Sequence, residues 1–159
     1  MTIDFYNRFI RENTGIINKI CRAYTDTDED YEDYFQEVCL QLWRSHSFFE
    51  DKSAVATWVY RVALNVCLTH FKKAKKRVET GSLKEIDMLR TETDATEAEQ
   101  FEQLYKAIKK LKEIDRAIII LYLEDKSYKE IAEILGIKTN HVGVKVNRIK
   151  NTLKQLIHG

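Results

Sequence analysis

The sequence predicts an all-α protein made of two small helical domains. The chain of 159 residues contains no proline and only five glycines, and these are the two residues that most often interrupt helices. Long stretches repeat apolar side chains at intervals of three and four residues, which is the period of an amphipathic helix. Hydrophobic residues make up 44% of the chain, enough to bury a core at this length.

The charge is unevenly distributed, although the net charge is only +1. Residues 1–77 carry 12 Lys and Arg against 11 Asp and Glu, residues 78–104 carry 2 against 8, and residues 105–159 carry 12 against 6. An acidic middle therefore separates a nearly neutral first part from a basic end. A basic terminal third indicates a nucleic-acid partner.

The composition shift sets the domain boundaries at residues 1–77 and 102–159, joined by an acidic linker over 78–101. In the first domain, residues 4–24 predict one amphipathic helix, or two that break at Gly15. An acidic turn follows this segment. We interpret it as the start of the second helix, because acidic side chains are favourable at the positive, N-terminal end of a helix dipole.

The second helix is predicted over residues 33–47. One of its outer faces has two interpretations, a solvated surface or a docking surface for another protein. The residues of this face are Asp33, Gln36, Glu37, Leu40 and Arg44. In the loop that follows, Phe48 and Phe49 either stack an unpaired base or plug the loop. A calcium loop is excluded in the acidic turn, since the glycine and the terminal glutamate of such loops are missing.

The third helix is predicted over residues 54–76. Trp58, Arg61 and Asn65 share one of its faces, because they are spaced at i, i+3 and i+7. The helix ends in the run KKAKKR, whose charge exceeds what a helix dipole favours. We interpret this cationic run as a phosphate contact.

The stretch SYKEIAEILGIKTNHVGVKVNRIKNTL, residues 127–153, predicts a helix-turn-helix. Ser127 and Glu130 are spaced as a capping box at the start of a short helix. Gly136 is placed to end that helix in the left-handed conformation, and Thr139 to cap the next helix. Further helical structure is predicted upstream over residues 102–123, with a corner near 112–115.

The second helix of this pair has two different sides. Its apolar stripe contains Val142, Val146, Ile149, Leu153, Leu156 and Ile157. Its opposite side carries Asn140, His141, Val144, Asn147, Arg148 and Asn151, flanked by Lys145, Lys150 and Lys154. Amides, a histidine and cations on an exposed helix suit base edges and phosphates in a DNA major groove. The alternative is an antiparallel helix pair with a solvated basic face.

Several classes of protein are excluded by the remaining residues. Cys21, Cys39 and Cys67 are too widely spaced for a zinc site, and we predict buried, reduced thiols in a cytoplasmic protein. The sequence has no nucleophile–base pair, metal cluster or phosphate loop at workable spacing. We therefore expect no enzyme, no catalytic residue, no metal, no cofactor and no small-molecule substrate. A signal peptide and an apolar run of membrane length are absent, so we expect no membrane insertion.

Three motifs in this order resemble one family. DYFQEVCLQLWR is similar to region 2.2 of the sigma-70 proteins, ATWVYRVALN to regions 2.3 and 2.4, and KSYKEIAEILGIKTNHVGVKVNRIK to region 4.2. The chain as a whole resembles an extracytoplasmic-function (ECF) sigma factor, the smallest kind of sigma-70-type subunit of bacterial RNA polymerase. It departs from the family at Gly143, where a lysine is common, and at Lys145, where an arginine is common.

The resemblance implies a subunit that directs core RNA polymerase to promoters and promotes strand opening, with an anti-sigma factor as a further partner. The residues expected to dock on the coiled coil of the largest polymerase subunit are Asp33, Gln36, Glu37, Leu40 and Arg44. Those expected at the −10 element are Phe48, Phe49, Trp58, Arg61, Asn65, Lys72 and Lys73. Those expected at the −35 element are Asn140, His141, Val144, Lys145 and Arg148.

Two other functions are compatible with parts of the sequence. A helix-turn-helix repressor or activator would bind DNA without core polymerase, and would have no use for the face of the second helix that includes Gln36 and Glu37. A helical interaction module without a DNA role would not explain the basic last third or the cationic run at residues 72–77.

Overall fold

The computed structural model describes residues 2–49, 54–79 and 96–158, and all regular structure in these residues is helical, which confirms the all-α prediction. A π-helical turn (Tyr6–Ile10) and a 3₁₀ turn (Arg11–Asn13) separate the first two α-helices, and a further 3₁₀ turn (His46–Phe48) follows the third. The α-helices are α1 (Ile3–Phe5), α2 (Thr14–Ala23), α3 (Asp28–Ser45), α4 (Val55–Glu79), α5 (Glu97–Ile108), α6 (Glu113–Leu123), α7 (Tyr128–Leu135) and α8 (Thr139–His158).

The N-terminal helical segment is interrupted before Gly15, not at it. The Asn13 amide donates to the Phe9 carbonyl (3.2 Å), and the Thr14 hydroxyl donates to the Ile10 carbonyl (2.8 Å). Side-chain donors of this kind compete with the backbone for helical carbonyls, which explains the irregular turns. Gly15 itself lies inside α2.

The helix α3 begins at Asp28, five residues before the predicted start. The Thr27 hydroxyl accepts the backbone N–H of Asp30 (3.1 Å), and three acids occupy the first turn. This cap and the favourable placement of acids at a helix N-terminus extend the helix into the predicted acidic turn. Val38 and Leu42 of α3 are fully buried against α4.

Helical structure occupies both ends of the predicted linker. The helix α4 continues to Glu79, and α5 already begins at Glu97. Thr96 and Glu99 form a complete capping box, with the hydroxyl accepting one backbone N–H and the carboxylate accepting the other. The rest of the predicted linker, residues 80–95, lies outside the described residues.

The helix-turn-helix has the predicted order, with two differences at its caps. Gly136 has a φ of 70°, in the left-handed region, and its N–H donates to the Ala132 carbonyl, as expected for a glycine that ends a helix. The Glu130 carboxylate accepts the Ser127 hydroxyl (3.2 Å), where the capping box would have it accept a backbone N–H. Thr139 is the first residue of α8, and the side-chain oxygen of Asn140 accepts the backbone N–H of His141 (3.0 Å), which also donates to the Lys138 carbonyl (3.1 Å).

The two domains are packed against each other. Helices α2 and α4 of the first domain contact α5, α6 and α7 of the second, and the buried apolar side chains form one cluster. Cys21 and Cys67 are buried free thiols in this core, with their sulfur atoms 3.9 Å apart, while Cys39 is half-buried. No helix in the described part of the chain is long and apolar enough to cross a membrane.

Candidate polymerase and DNA interfaces

The face of α3 that was expected to dock on polymerase is open to solvent. Asp33, Gln36 and Arg44 are exposed, and Glu37 and Leu40 are half-buried. The Glu37 carboxylate accepts a hydrogen bond from the Gln41 amide (2.9 Å), one turn along the helix. A face with two acids, an amide and an arginine around one leucine has the mixed polar and apolar character of a protein–protein interface.

The two loop phenylalanines occupy different environments. Phe48 is 81% exposed, whereas Phe49 is half-buried and packs on Phe9 and Trp58 at ring-centroid distances of 5.8 and 5.3 Å. Trp58 also packs on Phe9, at 5.1 Å. Phe49 and Trp58 therefore belong to an aromatic cluster of the protein itself, and Phe48 is the aromatic side chain that is free to stack on a base.

The remaining predicted −10 residues on α4 are exposed, and Arg61 already has a partner. The Arg61 guanidinium donates to the backbone carbonyl of Glu133 on α7 (3.2 Å). Asn65 and Lys73 line an open groove of about 390 Å³ between α3 and α4, and Glu37 forms its opposite side. The fold thus places part of the expected polymerase-docking face beside part of the expected −10 face.

The cationic run at the end of α4 is divided between solvent and the second domain. Lys72 and Lys73 are exposed, while the Lys75 ammonium lies 3.3 Å from the Glu113 carboxylate at the start of α6. A backbone N–H hydrogen bond at the start of α6, and secondly Lys75, lower the pKa of Glu113. Glu113 is therefore ionised near neutral pH and holds this cation.

The recognition helix α8 presents its predicted face to solvent. Of its predicted apolar stripe, Val142, Val146, Ile149 and Leu153 are buried and Leu156 is half-buried. Ile157, in the last turn of the helix, is exposed, so the prediction was wrong at that residue. The opposite side of α8 is open, with Asn140, His141, Val144 and Arg148 all exposed. The apolar stripe packs on α6 and α7, and this packing determines which side of α8 faces solvent.

Lys145 differs from the other predicted −35 residues. It is half-buried, and its ammonium lies 3.4 Å from the Asp115 carboxylate on α6. On the other flank, the Lys150 ammonium lies over the Tyr122 ring, 4.4 Å from its centroid. The structure therefore brings Asn140, His141, Val144 and Arg148 together as one free surface and ties Lys145 to the body of the domain.

Sequence reasoning missed the most strongly bonded polar side chain in the described residues, Arg116 of α6. It is only 8% exposed, and its guanidinium donates to three backbone carbonyls, one of them Ala23 of the first domain. A signal was present, because Arg116 directly precedes the uncharged apolar stretch from Ala117 to Leu123. Long cationic side chains inside such stretches are buried only when they are paired or hydrogen-bonded. Among the described residues, His, Cys, Asp and Glu form no group that could hold a metal ion.

Comparison with known proteins assigns both domains. Residues 9–77 match the family model of Sigma-70 region 2, and residues 101–153 match that of Sigma-70 region 4. The chain is 23% identical over 153 residues to the ECF RNA polymerase sigma factor SigM of Mycobacterium tuberculosis, covering 96% of this chain and 76% of SigM. It is 27% identical over 160 residues to the RNA polymerase sigma factor YlaC of Bacillus subtilis, covering 96% and 89%.

Solved structures agree on the fold. The sigma factor RpoE of Bartonella quintana, in complex with the anti-sigma factor NepR, aligns with a TM-score of 0.74 and 19% identity over 94% of this chain and 96% of that one. CnrH, in complex with the cytosolic domain of CnrY, aligns with a TM-score of 0.67 and 16% identity over 96% and 87%. With a region 2 and a region 4 domain in this order, and with ECF relatives along nearly its whole length, the chain belongs to the ECF sigma factors of the sigma-70 family.

Proposed function

We propose that this chain recruits core RNA polymerase through the open face of α3 and reads promoter DNA through α4 and α8. The observation that carries the proposal is the helix α8, whose polar face stays open because Val142, Val146, Ile149 and Leu153 on its other side are buried. The same chain also carries an exposed acidic face on α3. It therefore has one surface suited to DNA and another suited to polymerase.

Strand opening in this proposal needs no catalytic group. It needs a surface that holds an unstacked base of the −10 element better than the duplex does, because that difference in binding shifts the melting equilibrium. Phe48 is best suited to this role, because its ring is exposed, whereas the rings of Phe49 and Trp58 pack on each other. Exposed Asn65, Lys72 and Lys73 would contact the −10 strand and its phosphates.

The proposed partners follow from the same surfaces. They are the coiled coil of the largest polymerase subunit, promoter DNA, and an anti-sigma factor, and the proposed location is the cytoplasm, where the polymerase works. RpoE was solved with the anti-sigma factor NepR bound, which supports an anti-sigma partner for this chain.

The test is a pull-down with bacterial core polymerase, followed by run-off transcription from a library of promoter fragments. Core binding with new transcripts is the expected result, and the transcripts give the promoter sequence. DNA binding without core binding would instead favour a helix-turn-helix repressor or activator.

The docking face is tested in the same assay by changing Gln36→Ala together with Glu37→Ala. Loss of central contacts in an interface should weaken core binding by about tenfold or more. The helix should remain folded, because the lost Glu37–Gln41 contact is worth only a few tenths of a kcal/mol, about 0.2–0.5. The matched control is Glu102→Ala with Gln103→Ala, an exposed acid–amide pair on α5, which should leave the affinity unchanged. Equal affinities for both double variants would remove the docking assignment.

A further inference from the structure

An exposed arginine of the N-terminal segment lies at the loop that carries Phe48. The Arg8 guanidinium lies over the Phe49 ring, with Cζ 5.4 Å from the ring centroid, and over the ring of its neighbour Phe9 at 5.2 Å. Arg8 itself is exposed to solvent. Because Phe48 is 81% exposed and directly precedes Phe49, the fold holds a cation beside the loop that presents a free aromatic ring.

Arg8 is held in this position by buried aromatic side chains before and after it. Phe5 is 3% exposed and packs on Trp43, with ring centroids 5.0 Å apart. Phe9 is 4% exposed and packs on Trp58 at 5.1 Å. Since both rings are anchored in the first domain, the backbone between them is fixed and Arg8 has a defined place on the surface.

The backbone that carries Arg8 is the π-helical turn Tyr6–Ile10, in which the N–H of Arg11 donates to the Tyr6 carbonyl. Turns of this kind are rare and are frequently found at functional sites. Arg8 also precedes residues 9–77, the stretch that matches Sigma-70 region 2. The position of this cation is therefore a feature of the present chain that the match to the family model does not cover.

The cations expected at the −10 element lie at the other end of α4. Lys72 and Lys73 are exposed there. Along the helix axis, Lys72 is about 21 Å from Trp58, at about 1.5 Å per residue. Trp58 packs on Phe49, whose ring lies under the Arg8 guanidinium. Arg8 thus places positive charge at the end of the −10 surface that these two lysines do not reach.

A strand with an unstacked base needs both an aromatic ring and a cation. Proteins that hold single strands combine rings that stack on the bases with positive side chains that follow the backbone. Each base is joined through its sugar to a phosphate on either side, so phosphates lie close to the ring that receives the base. A guanidinium suits this place, because its planar donors can bond two phosphate oxygens at once.

We propose that Arg8 binds a backbone phosphate next to the −10 base that stacks on Phe48, so that the turn Tyr6–Ile10 is part of the strand-opening surface. This contact rests on the proposed function and adds to it a residue outside the predicted −10 set. The contact forms with the opened strand, because it depends on a base that has left the duplex to reach Phe48. It therefore shifts the melting equilibrium towards the open state.

The test is a titration of the complex of this chain and core polymerase with a labelled single-stranded oligonucleotide that carries the −10 sequence found by run-off transcription. Arg8→Gln removes one phosphate contact, so the slope of log K against log salt concentration should become shallower by about 0.7. The loss of affinity should then be about fivefold larger at about 0.1 M salt than at about 1 M. Arg8→Lys retains the charge and should retain the wild-type slope.

The matched control is Arg22→Gln, which makes the same change in net charge. Arg22 is also an exposed arginine over an aromatic ring, with Cζ 4.5 Å from the centroid of Tyr105, but that ring belongs to α5. Its slope should equal that of the wild type. A −35 duplex provides a second control, and the wild type and Arg8→Gln should bind it equally, because Arg8 lies in the first domain.

Two results would overturn the phosphate contact. An Arg8→Gln slope equal to that of the wild type, whatever the affinity, would mean that Arg8 supports the Phe49 ring and touches no phosphate. An equally shallow slope for Arg22→Gln would mean that net charge alone is responsible. If the wild-type complex forms but binds no −10 strand, the proposed function itself is rejected, and the Arg8 contact with it.

Discussion

The two surfaces expected to contact DNA are in different states in the docked chain. On α4, Arg61 is bonded to α7, and Trp58 is packed in an aromatic cluster. On α8, Asn140, Val144 and Arg148 are exposed along one face. The first domain therefore engages part of its expected −10 surface within the protein, while the second leaves most of its expected −35 surface open.

The difference comes from what lies behind each surface. The helix α8 buries a continuous apolar stripe, so its polar side has no second structural task. The helix α4 packs on α3 with one side and on α6 and α7 with another, and its cations lie beside that second contact. Arg61 and Lys75 of α4 are bonded to the second domain, whereas Lys72 and Lys73 on the same helix are already exposed.

The largest effect expected on the open surface is that of Arg148→Ala. Arginine is the residue that best reads a guanine edge in the major groove, and loss of such a contact costs about 1–3 kcal/mol at one base position. Binding of the polymerase complex to promoter duplexes with each −35 base pair changed in turn measures this.

The control for that prediction is Arg148→Lys, which retains the charge but not the planar pair of donors. If Arg148 reads a base, the lysine variant should lose selectivity at the same position as the alanine variant. If the lysine variant restores full binding on all sequences, Arg148 is a phosphate contact only.

Local features of this molecule could be predicted from the sequence. The buried stripe of α8 and the left-handed Gly136 depend on residues within a few positions of each other, so periodicity and backbone preference suffice. The acid and amide edge of α3 followed from the same helical spacing.

The features that the sequence could not give depend on distant partners. Arg116 finds the Ala23 carbonyl 93 positions earlier, and Lys145 finds Asp115 30 positions earlier. Phe48 and Phe49 are chemically identical neighbours, and the positions of Phe9 and Trp58 decide that Phe49 is the half-buried ring. Periodicity predicts the helix face on which a side chain lies, but it does not predict which residues pack against that face.

A smaller effect is expected from Asp115→Asn, which releases Lys145 from its ion pair. The freed ammonium would gain one phosphate contact, so the slope of log K against log salt concentration should steepen by about 0.9. The stability of the domain should change little, since partly exposed ion pairs are worth about 0–1 kcal/mol. Titration of a −35 duplex at several salt concentrations provides the slope, and the double variant Asp115→Asn, Lys145→Met should return it to the wild-type value. An unchanged slope in the single variant would mean that Lys145 already leaves Asp115 when DNA binds.

The smallest effect concerns Val144, an apolar side chain that is 58% exposed in the middle of a polar face. On a major-groove reader, an aliphatic group at such a position suits the methyl group of thymine, the one apolar feature among the base edges. Replacing each −35 thymine by uracil removes only that methyl group and leaves base pairing unchanged. Burial of one methyl group is worth about 0.8 kcal/mol, so affinity should fall by about fourfold at a single position.

Val144→Ala should bind thymine and uracil duplexes equally at that position, because it no longer reaches the methyl group, while selectivity at the Arg148 position should remain. Equal binding of all uracil duplexes by the wild-type chain would show that Val144 contacts no thymine. The comparison between the two surfaces would then be sharper still, since specificity on α8 would rest on polar side chains alone, with Arg148 foremost among them.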